Sequence, residues 1–116
     1  RLFAAMGARA ETLSGLAGIG DLVVTCASMH SRNRRAGILI GQGLSMKEAM
    51  EEVNMVVEGV YAAGAGRELA RRYGVTMPII EQVCEVLFAG KAPAEAMREL
   101  MLRDRCVENP RLCWEE

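Results

Sequence analysis

One acid and one dense cluster of bases are the residues of this chain best placed to do chemistry. Asp21 opens the run Asp-Leu-Val-Val-Thr-Cys26, and Ser31-Arg-Asn-Arg-Arg35 follows after a short loop. A Ser directly before a helical pattern reads as an N-cap, which puts Arg32, Arg34 and Arg35 in a first turn. That placement breaks a local rule. A helix N-terminus carries partial positive charge and unpaired N–H groups, so each solvated cation there costs roughly 0.3–1 kcal/mol. A bound anion reverses the sign. Ser31 Oγ, the free N–H groups and the guanidinium forks together suit a phosphate. The Asn33 amide can donate and accept, toward a hydroxyl or a carboxamide. The plain alternative is a solvated basic face, and the density of Arg at one helix start weighs against it.

The acid needs an element to hold it. Thr12 to about Cys26 predicts one continuous helix capped by Thr12. Leu13, Leu16, Gly20 and Val24 share a face, Ile19 and Val23 flank it, and Leu22 lies round the back. Such a helix is apolar nearly all round and is expected to be buried. The exception is a strip of Ser14, Gly18, Asp21 and Thr25, where small residues leave room beside one carboxylate. A buried carboxylate without a partner costs several kcal/mol. Asp21 is therefore either a structural acid paired with a nearby Arg or a functional group, and the residues alone leave both readings open.

Bulk properties narrow the class. The chain has 116 residues, 51% of them hydrophobic, and a net charge of −1. That length suits one small domain. The absence of a global positive field argues against general nucleic-acid or membrane-surface binding, so the basic cluster is local and points to a small anion. Aromatic residues make up only 4%, so the core must come from Ala, Leu, Val, Ile and the eight Met. Cys26, Cys84, Cys106 and Cys113 form no C-x-x-C pair and the only His is His30. No metal site is expected from that spacing. The thiols read as reduced, in a cytosolic protein, although Cys106 and Cys113 could bridge locally. No apolar run reaches the ~18 residues of a membrane span, and no signal peptide is recognisable. The chain starts without Met, inside what reads as the end of a helix, so a piece of something longer is expected.

The other elements follow from caps and breaks. Arg1 to Met6 reads as a helix end with Gly7 as its C′ residue. Ser31 starts a helix through Ile38-Leu-Ile40 that Gly41 or Gly43 ends. Ser45-Met-Lys-Glu48 is a capping box opening a short helix to about Val53. Asn54 to Val57 reads as an irregular crossing. Glu58, an acid where the dipole favours one, opens a long helix to about Tyr73, closed by Gly74. Gly64 and Gly66 inside it each cost about 0.8–1 kcal/mol relative to Ala, which points to close helix contact. Pro78 and Pro93 fit N1 of two further helices. Ile79, Ile80, Val83, Val86 and Leu87 form the stripe of the first, which Gly90 ends. Ala96, Met97, Leu100 and Met101 form that of the second, with Arg103 and Arg105 near its C-terminal dipole. The Met residues read as core filler. No strand pattern of useful length appears, Gly18-Ile-Gly-Asp21 is too short for a dinucleotide fingerprint, and no Ser–His–Asp arrangement is present.

These residues spell a family pattern. Gly15-Leu-Ala-Gly-Ile-Gly-Asp-Leu-Val-Val-Thr-Cys26 followed by Ser31-Arg-Asn-Arg-Arg-Ala-Gly37 closely resembles the bacterial-type NAD(P)-dependent glycerol-3-phosphate dehydrogenases. The likeness continues through Gly41-Gln-Gly43, Val56-Val-Glu-Gly59, Gly74-Val-Thr-Met-Pro-Ile79 and Val86-Leu-Phe-Ala-Gly-Lys91, in order and over almost the whole chain. The resemblance implies an all-α, multi-helix, bundle-like domain of the 6-phosphogluconate dehydrogenase C-terminal type. Residues 1–105 would be the helical C-terminal substrate-binding domain and 106–116 a tail. It implies a Rossmann domain upstream, holding most of the NAD or NADP and the proton-accepting Lys, so no catalytic residue falls within this chain. Asp21, Ser31, Arg32 and Asn33 are implied to bind glycerol 3-phosphate. Arg32, Val56 and Glu58 are implied to touch the nicotinamide cofactor. The implied reaction interconverts sn-glycerol 3-phosphate and dihydroxyacetone phosphate in the cytoplasm, supplying phospholipid synthesis. This chain departs from the pattern at Ala36, where a larger and often aromatic residue is usual, and at Ala92, where an acid is usual. Neither touches the implied site.

Two other readings remain open to the residues. One is a standalone helical binding or dimerisation module whose Arg cluster meets an acidic patch. The other is a related helical dehydrogenase domain acting on a different phosphate. A domain cut from its partner leaves interface bare, so a homodimer is a further expectation. By itself the chain is expected to be catalytically inactive.

Overall fold

Capping chemistry sets most boundaries in this chain. The computed structural model describes residues 1–104. They form α1 (Leu2–Ala5), α2 (Ala10–Ser14), α3 (Asp21–Ala27), α4 (Arg32–Gly41), α5 (Met46–Val53), α6 (Glu58–Tyr73), α7 (Pro78–Ala89) and α8 (Pro93–Met101), with a π-helical turn, Leu16–Gly20, between α2 and α3. The described residues are all-helical and contain no strand. The tail at 106–116, Arg105, Cys106 and Cys113 lie outside them.

Ser31 Oγ accepts the Arg34 N–H at 3.3 Å, starting α4. The capping box of α5 is complete. Ser45 Oγ accepts from the Glu48 N–H at 3.3 Å, and the Glu48 carboxylate accepts the Ser45 N–H at 2.8 Å. These bonds to Ser45 hold the Glu48 carboxyl below its ordinary pKa. Asn54, at φ 52°, closes α5, while Gly74 (φ 63°) and Gly90 (φ 73°) close α6 and α7. Pro78 and Pro93 each occupy the first turn of a helix, where a missing N–H costs nothing.

α4 packs on α5, α6 and α8, α6 packs on α1 and α7, and α7 packs on α8. The core is narrow. Ala36, Val53, Val57 and Val60 form its centre, with Leu39, Met46, Met50 and Leu87 around them. Between α6 and α7 the buried Cys84 thiol donates to the Ala63 carbonyl at 3.3 Å. At the rim, Arg67 pairs with Glu85 at 3.9 Å and lies 5.7 Å from the Phe88 ring centroid. Lys91 Nζ stands 2.6 Å from Glu99, which also accepts from Gln82 Nε2 at 2.8 Å. The Lys91 bond, then the Gln82 bond, hold the Glu99 carboxyl below its ordinary pKa.

The segment expected to be one helix from Thr12 to Cys26 is instead three pieces, with Arg9 rather than Thr12 as the first N-cap. The chain breaks at Gly15, which is extended (φ −92°, ψ −166°). The turn that follows is crowded: a Cβ on Gly18 would lie 2.0 Å from the Leu13 carbonyl oxygen, so only glycine fits. The Gly20 N–H reaches back to the Gly15 carbonyl at 3.2 Å, the wider bond of a π turn. The widened turn shifts every later side chain round the axis. Ser14, Gly18, Asp21 and Thr25 therefore do not form one strip, and Asp21 becomes the first residue of α3.

Nor is this segment buried. Leu16 is 89% exposed, and Ile19, Leu22, Val23 and Val24 are open as well. α2, the π turn and α3 pack chiefly on one another. They form an arm, which fits a radius of gyration of 15.7 Å against about 13 Å for a compact domain of this size. The periodicity marks a face that needs cover, and the described residues do not supply it. Ile79, Met97 and Met101 likewise face outward rather than into the core. α8 ends at Met101, so Arg98 is the base in its last turn and Arg103 lies beyond it. Gly64 and Gly66 do face α7, but a Cβ on them would sit 3.9 Å from Phe88 and 3.7 Å from Ile80. Those are ordinary contacts, so the approach does not require glycine.

Candidate anion-binding site

The start of α4 is built by a tight turn. The His30 N–H donates to Ser28 Oγ at 3.2 Å, and the Ser31 N–H to the Ser28 carbonyl at 3.2 Å. The turn delivers Ser31 in extended geometry, as an N-cap requires. Ser31 then satisfies the Arg34 N–H, while the backbone N–H groups of Arg32 and Asn33 meet no hydrogen-bond partner among the described residues. With the partly buried Arg32 side chain they place donors at the positive end of a ten-residue helix.

The three arginines are not equivalent. Arg34 Nη1 donates to the carbonyl of Ala27, the last residue of α3. A guanidinium there meets the negative end of α3 and satisfies one of its unpaired carbonyls. Arg34 is thus a clamp between arm and bundle, leaving Arg32 and the exposed Arg35 for a ligand. Nothing in the residue pattern distinguished Arg34 from its neighbours.

Asn33 reaches across the fold. Its Oδ1 accepts the Gly59 N–H at 2.9 Å. Gly59 lies in the first turn of α6, whose N-cap, Val57, has no capping side chain. Val57 is 2% exposed and pins the loop, while its neighbours Val56 and Glu58 face outward. The structure therefore brings the start of α4, Ser31 to Asn33, against the segment Val56 to Gly59. Asp21 is not joined to them. It is exposed, and its carboxylate makes no hydrogen bond or ion pair among the described residues. The seven residues of α3 put about 9 Å of helix between Asp21 and the Arg34 clamp.

Two shallow clefts lie elsewhere. One, of about 430 Å³, lies between the end of α6 and the start of α7. The other, of about 670 Å³, lies between the α4–α5 loop and the α7–α8 turn. Neither contains Asp21, Ser31, Arg32 or Asn33. Among the described residues no group of three His, Cys, Asp or Glu could hold a metal, and no helix is long and apolar enough to cross a membrane. Cys26 and Cys84 are free thiols, the first exposed and the second buried.

The pattern of one family, described as NAD-dependent glycerol-3-phosphate dehydrogenase C-terminus, matches residues 1–98. The chain belongs to that family. The glycerol-3-phosphate dehydrogenase (NAD(P)+) of Agathobacter rectalis is 63% identical over 109 residues, covering 94% of this chain and 32% of its own. That of Fusobacterium nucleatum is 61% identical over 104 residues, covering 90% of this chain and 31% of its own. The chain thus spans about a third of the length of these relatives. A crystal structure of glycerol-3-phosphate dehydrogenase from Coxiella burnetii matches with a TM-score of 0.86 at 41% identity, covering 89% of this chain and 32% of that one.

Proposed function

We propose that this chain is the substrate-side domain of an NAD(P)-dependent glycerol-3-phosphate dehydrogenase, an oxidoreductase interconverting sn-glycerol 3-phosphate and dihydroxyacetone phosphate. The observation that carries the reading is the start of α4. There the unpaired N–H groups of Arg32 and Asn33 and the Ser31 hydroxyl share one helix start with the partly buried Arg32 side chain, in a chain that matches this family over residues 1–98.

In this reading the substrate phosphate sits at the positive end of α4. The Arg32 and Asn33 N–H groups and the Arg32 side chain hold its oxygens, with charge-assisted bonds worth about 1.5–3 kcal/mol each. The Ser31 hydroxyl, already an acceptor toward Arg34, is free to donate to the same group. Asp21 accepts a substrate hydroxyl from the arm side. The Val56 to Glu58 segment fits the edge of a nicotinamide: Val56 offers an exposed apolar surface and Glu58 an acceptor for a carboxamide, beside Arg32. When bound, NAD or NADP supplies the acceptor for the hydride leaving carbon 2. The residues of this chain bind and orient, while proton removal falls to a Lys outside it.

The bare apolar face of the arm is then the surface against which the rest of such a protein packs, with a homodimer as the competing occupant. The setting we propose is the cytoplasm, where Cys26 and Cys84 stay reduced and the product feeds phospholipid synthesis. The test joins this chain to the remaining two-thirds of the Agathobacter rectalis relative. That enzyme is expected to reduce NAD or NADP with sn-glycerol 3-phosphate, while this chain alone does not. Turnover by the chain alone, or none by the joined enzyme, removes the reading.

A further inference from the structure

We propose that Gly59 is a positioning residue, whose N–H fixes the Asn33 side chain with Nδ2 turned outward and so ties the phosphate end of α4 to the cofactor segment at the start of α6. This rests on the reading above. The orientation follows from hydrogen-bond chemistry. A backbone N–H only donates, so the Asn33 atom 2.9 Å from it must be the carbonyl oxygen. Nδ2 is then the remaining end of the amide, and it meets no partner among the described residues. Asn33 is itself exposed, so a ligand at the start of α4 finds a donor of fixed direction.

The same bond supplies what α6 lacks. Its N-cap, Val57, offers no side-chain acceptor, and the first N–H groups of a helix have no partner within it. Asn33, 26 residues earlier, accepts one of them, so one side chain serves two helix starts. Contact this close leaves no room for a side chain while the amide stays in place. A Cβ on Gly59 would lie 2.9 Å from both Cγ and Oδ1 of Asn33, and 3.2 Å from Nδ2. Gly59 has no positive φ, so this approach, not backbone freedom, is what requires it. Displacing the amide therefore disturbs both ends together: the donor facing the substrate, and the anchorage of Val56 and Glu58 beside the cofactor.

The test uses the joined enzyme described above. Gly59→Ala is expected to raise KM for glycerol 3-phosphate and for the dinucleotide together, each by roughly tenfold to a hundredfold, as misplacement by about 1 Å does. Asn33→Asp keeps an acceptor for the Gly59 N–H but loses the outward donor, so it raises the substrate KM and leaves the dinucleotide KM near that of the parent. Asn33→Ala raises both and makes room for a methyl, so adding Gly59→Ala to it costs nothing more. If Gly59→Ala folds poorly, the Asn33→Ala background carries the measurement, because there the clash is gone. A purely structural role lowers the active fraction without moving either KM. Unchanged KM values in Gly59→Ala, or losses that multiply in the double variant, overturn the inference alone. An inactive parent enzyme overturns the substrate reading and this inference with it.

Discussion

The arm and the bundle are built from similar residues and reach opposite ends. In the bundle, α4 to α8, apolar side chains are modest in size, yet Ala36, Val53, Val57 and Val60 close on one another and exclude water. In the arm, α2 to α3, larger side chains such as Leu16, Ile19, Leu22 and Val24 stay in water. The difference lies in where the partners are. α4, α6, α7 and α8 each meet two or more neighbours within the described chain and α5 lies along α4, whereas the arm meets mainly itself. Its shape is instead held by local bonds: the π turn over Gly18 and the Arg34 clamp at its end. Hydrophobic content therefore does not locate a core, because burial needs a second surface at the right distance. The candidate site lies on the seam between the two regions, where α3 ends and α4 and α6 begin.

The sharpest way to break this contrast is a pair of charges. Val57→Asp puts an unpaired carboxylate into the centre of the bundle and should cost about 3–5 kcal/mol, seen as a collapse of the urea midpoint. Leu16→Asp in the arm should change that midpoint by less than about 0.5 kcal/mol. It should also suppress any concentration-dependent association in sedimentation velocity. Equal losses from the two substitutions would mean that arm and bundle are not distinct.

On the seam, Arg32→Ala should raise the KM of the joined enzyme for glycerol 3-phosphate by roughly tenfold to 150-fold, the worth of one charge-assisted bond. Arg34→Ala should act differently, loosening the arm, which amide hydrogen exchange in α3 would report. The same exchange pattern in both variants would remove the distinction between ligand-facing and clamping arginines.

Two glycines of α6 and its cap test what packing demands. Gly74→Ala, at φ 63°, should destabilise by about 1–2 kcal/mol. Gly66→Ala, with Ile80 at ordinary contact distance, should stabilise by up to about 1 kcal/mol. Thermal unfolding separates them by sign, and a loss in the second case would show that α6 and α7 lie closer than described.

The smallest effect is acidic. Glu99 is held below its ordinary pKa by Lys91 and then Gln82, so its charged form is favoured by folding. That contribution is fully present above the unfolded carboxylate value of about 4.3 and fades as pH falls through the lower folded value. Glu99→Gln should flatten this part of the acid limb of a stability profile and leave the neutral region nearly unchanged. An unaltered acid limb would place the dependence elsewhere.

The sequence by itself determined the helices from α4 onward. Ser31, the Ser45–Glu48 box, Pro78, Pro93, Gly74 and Gly90 act through contacts a few residues long, which are readable in one dimension. It also made Ser31 with Arg32, Arg34 and Arg35 an anion-binding candidate, through a charge pattern that a bare helix start disfavours, and Asn33 a partner for a hydroxyl or a carboxamide. Only the tertiary structure decided which polar groups were already engaged. Arg34 is taken up by Ala27, and Asn33 Oδ1 by Gly59 across a long stretch of chain. It also decided that the apolar arm stays open and that Asp21 begins α3 instead of sitting within a longer helix. Those outcomes depend on distances between segments and on two glycines, the extended Gly15 and the crowded Gly18. A periodicity assumes a uniform helix and a waiting partner, and this arm has neither among its described residues.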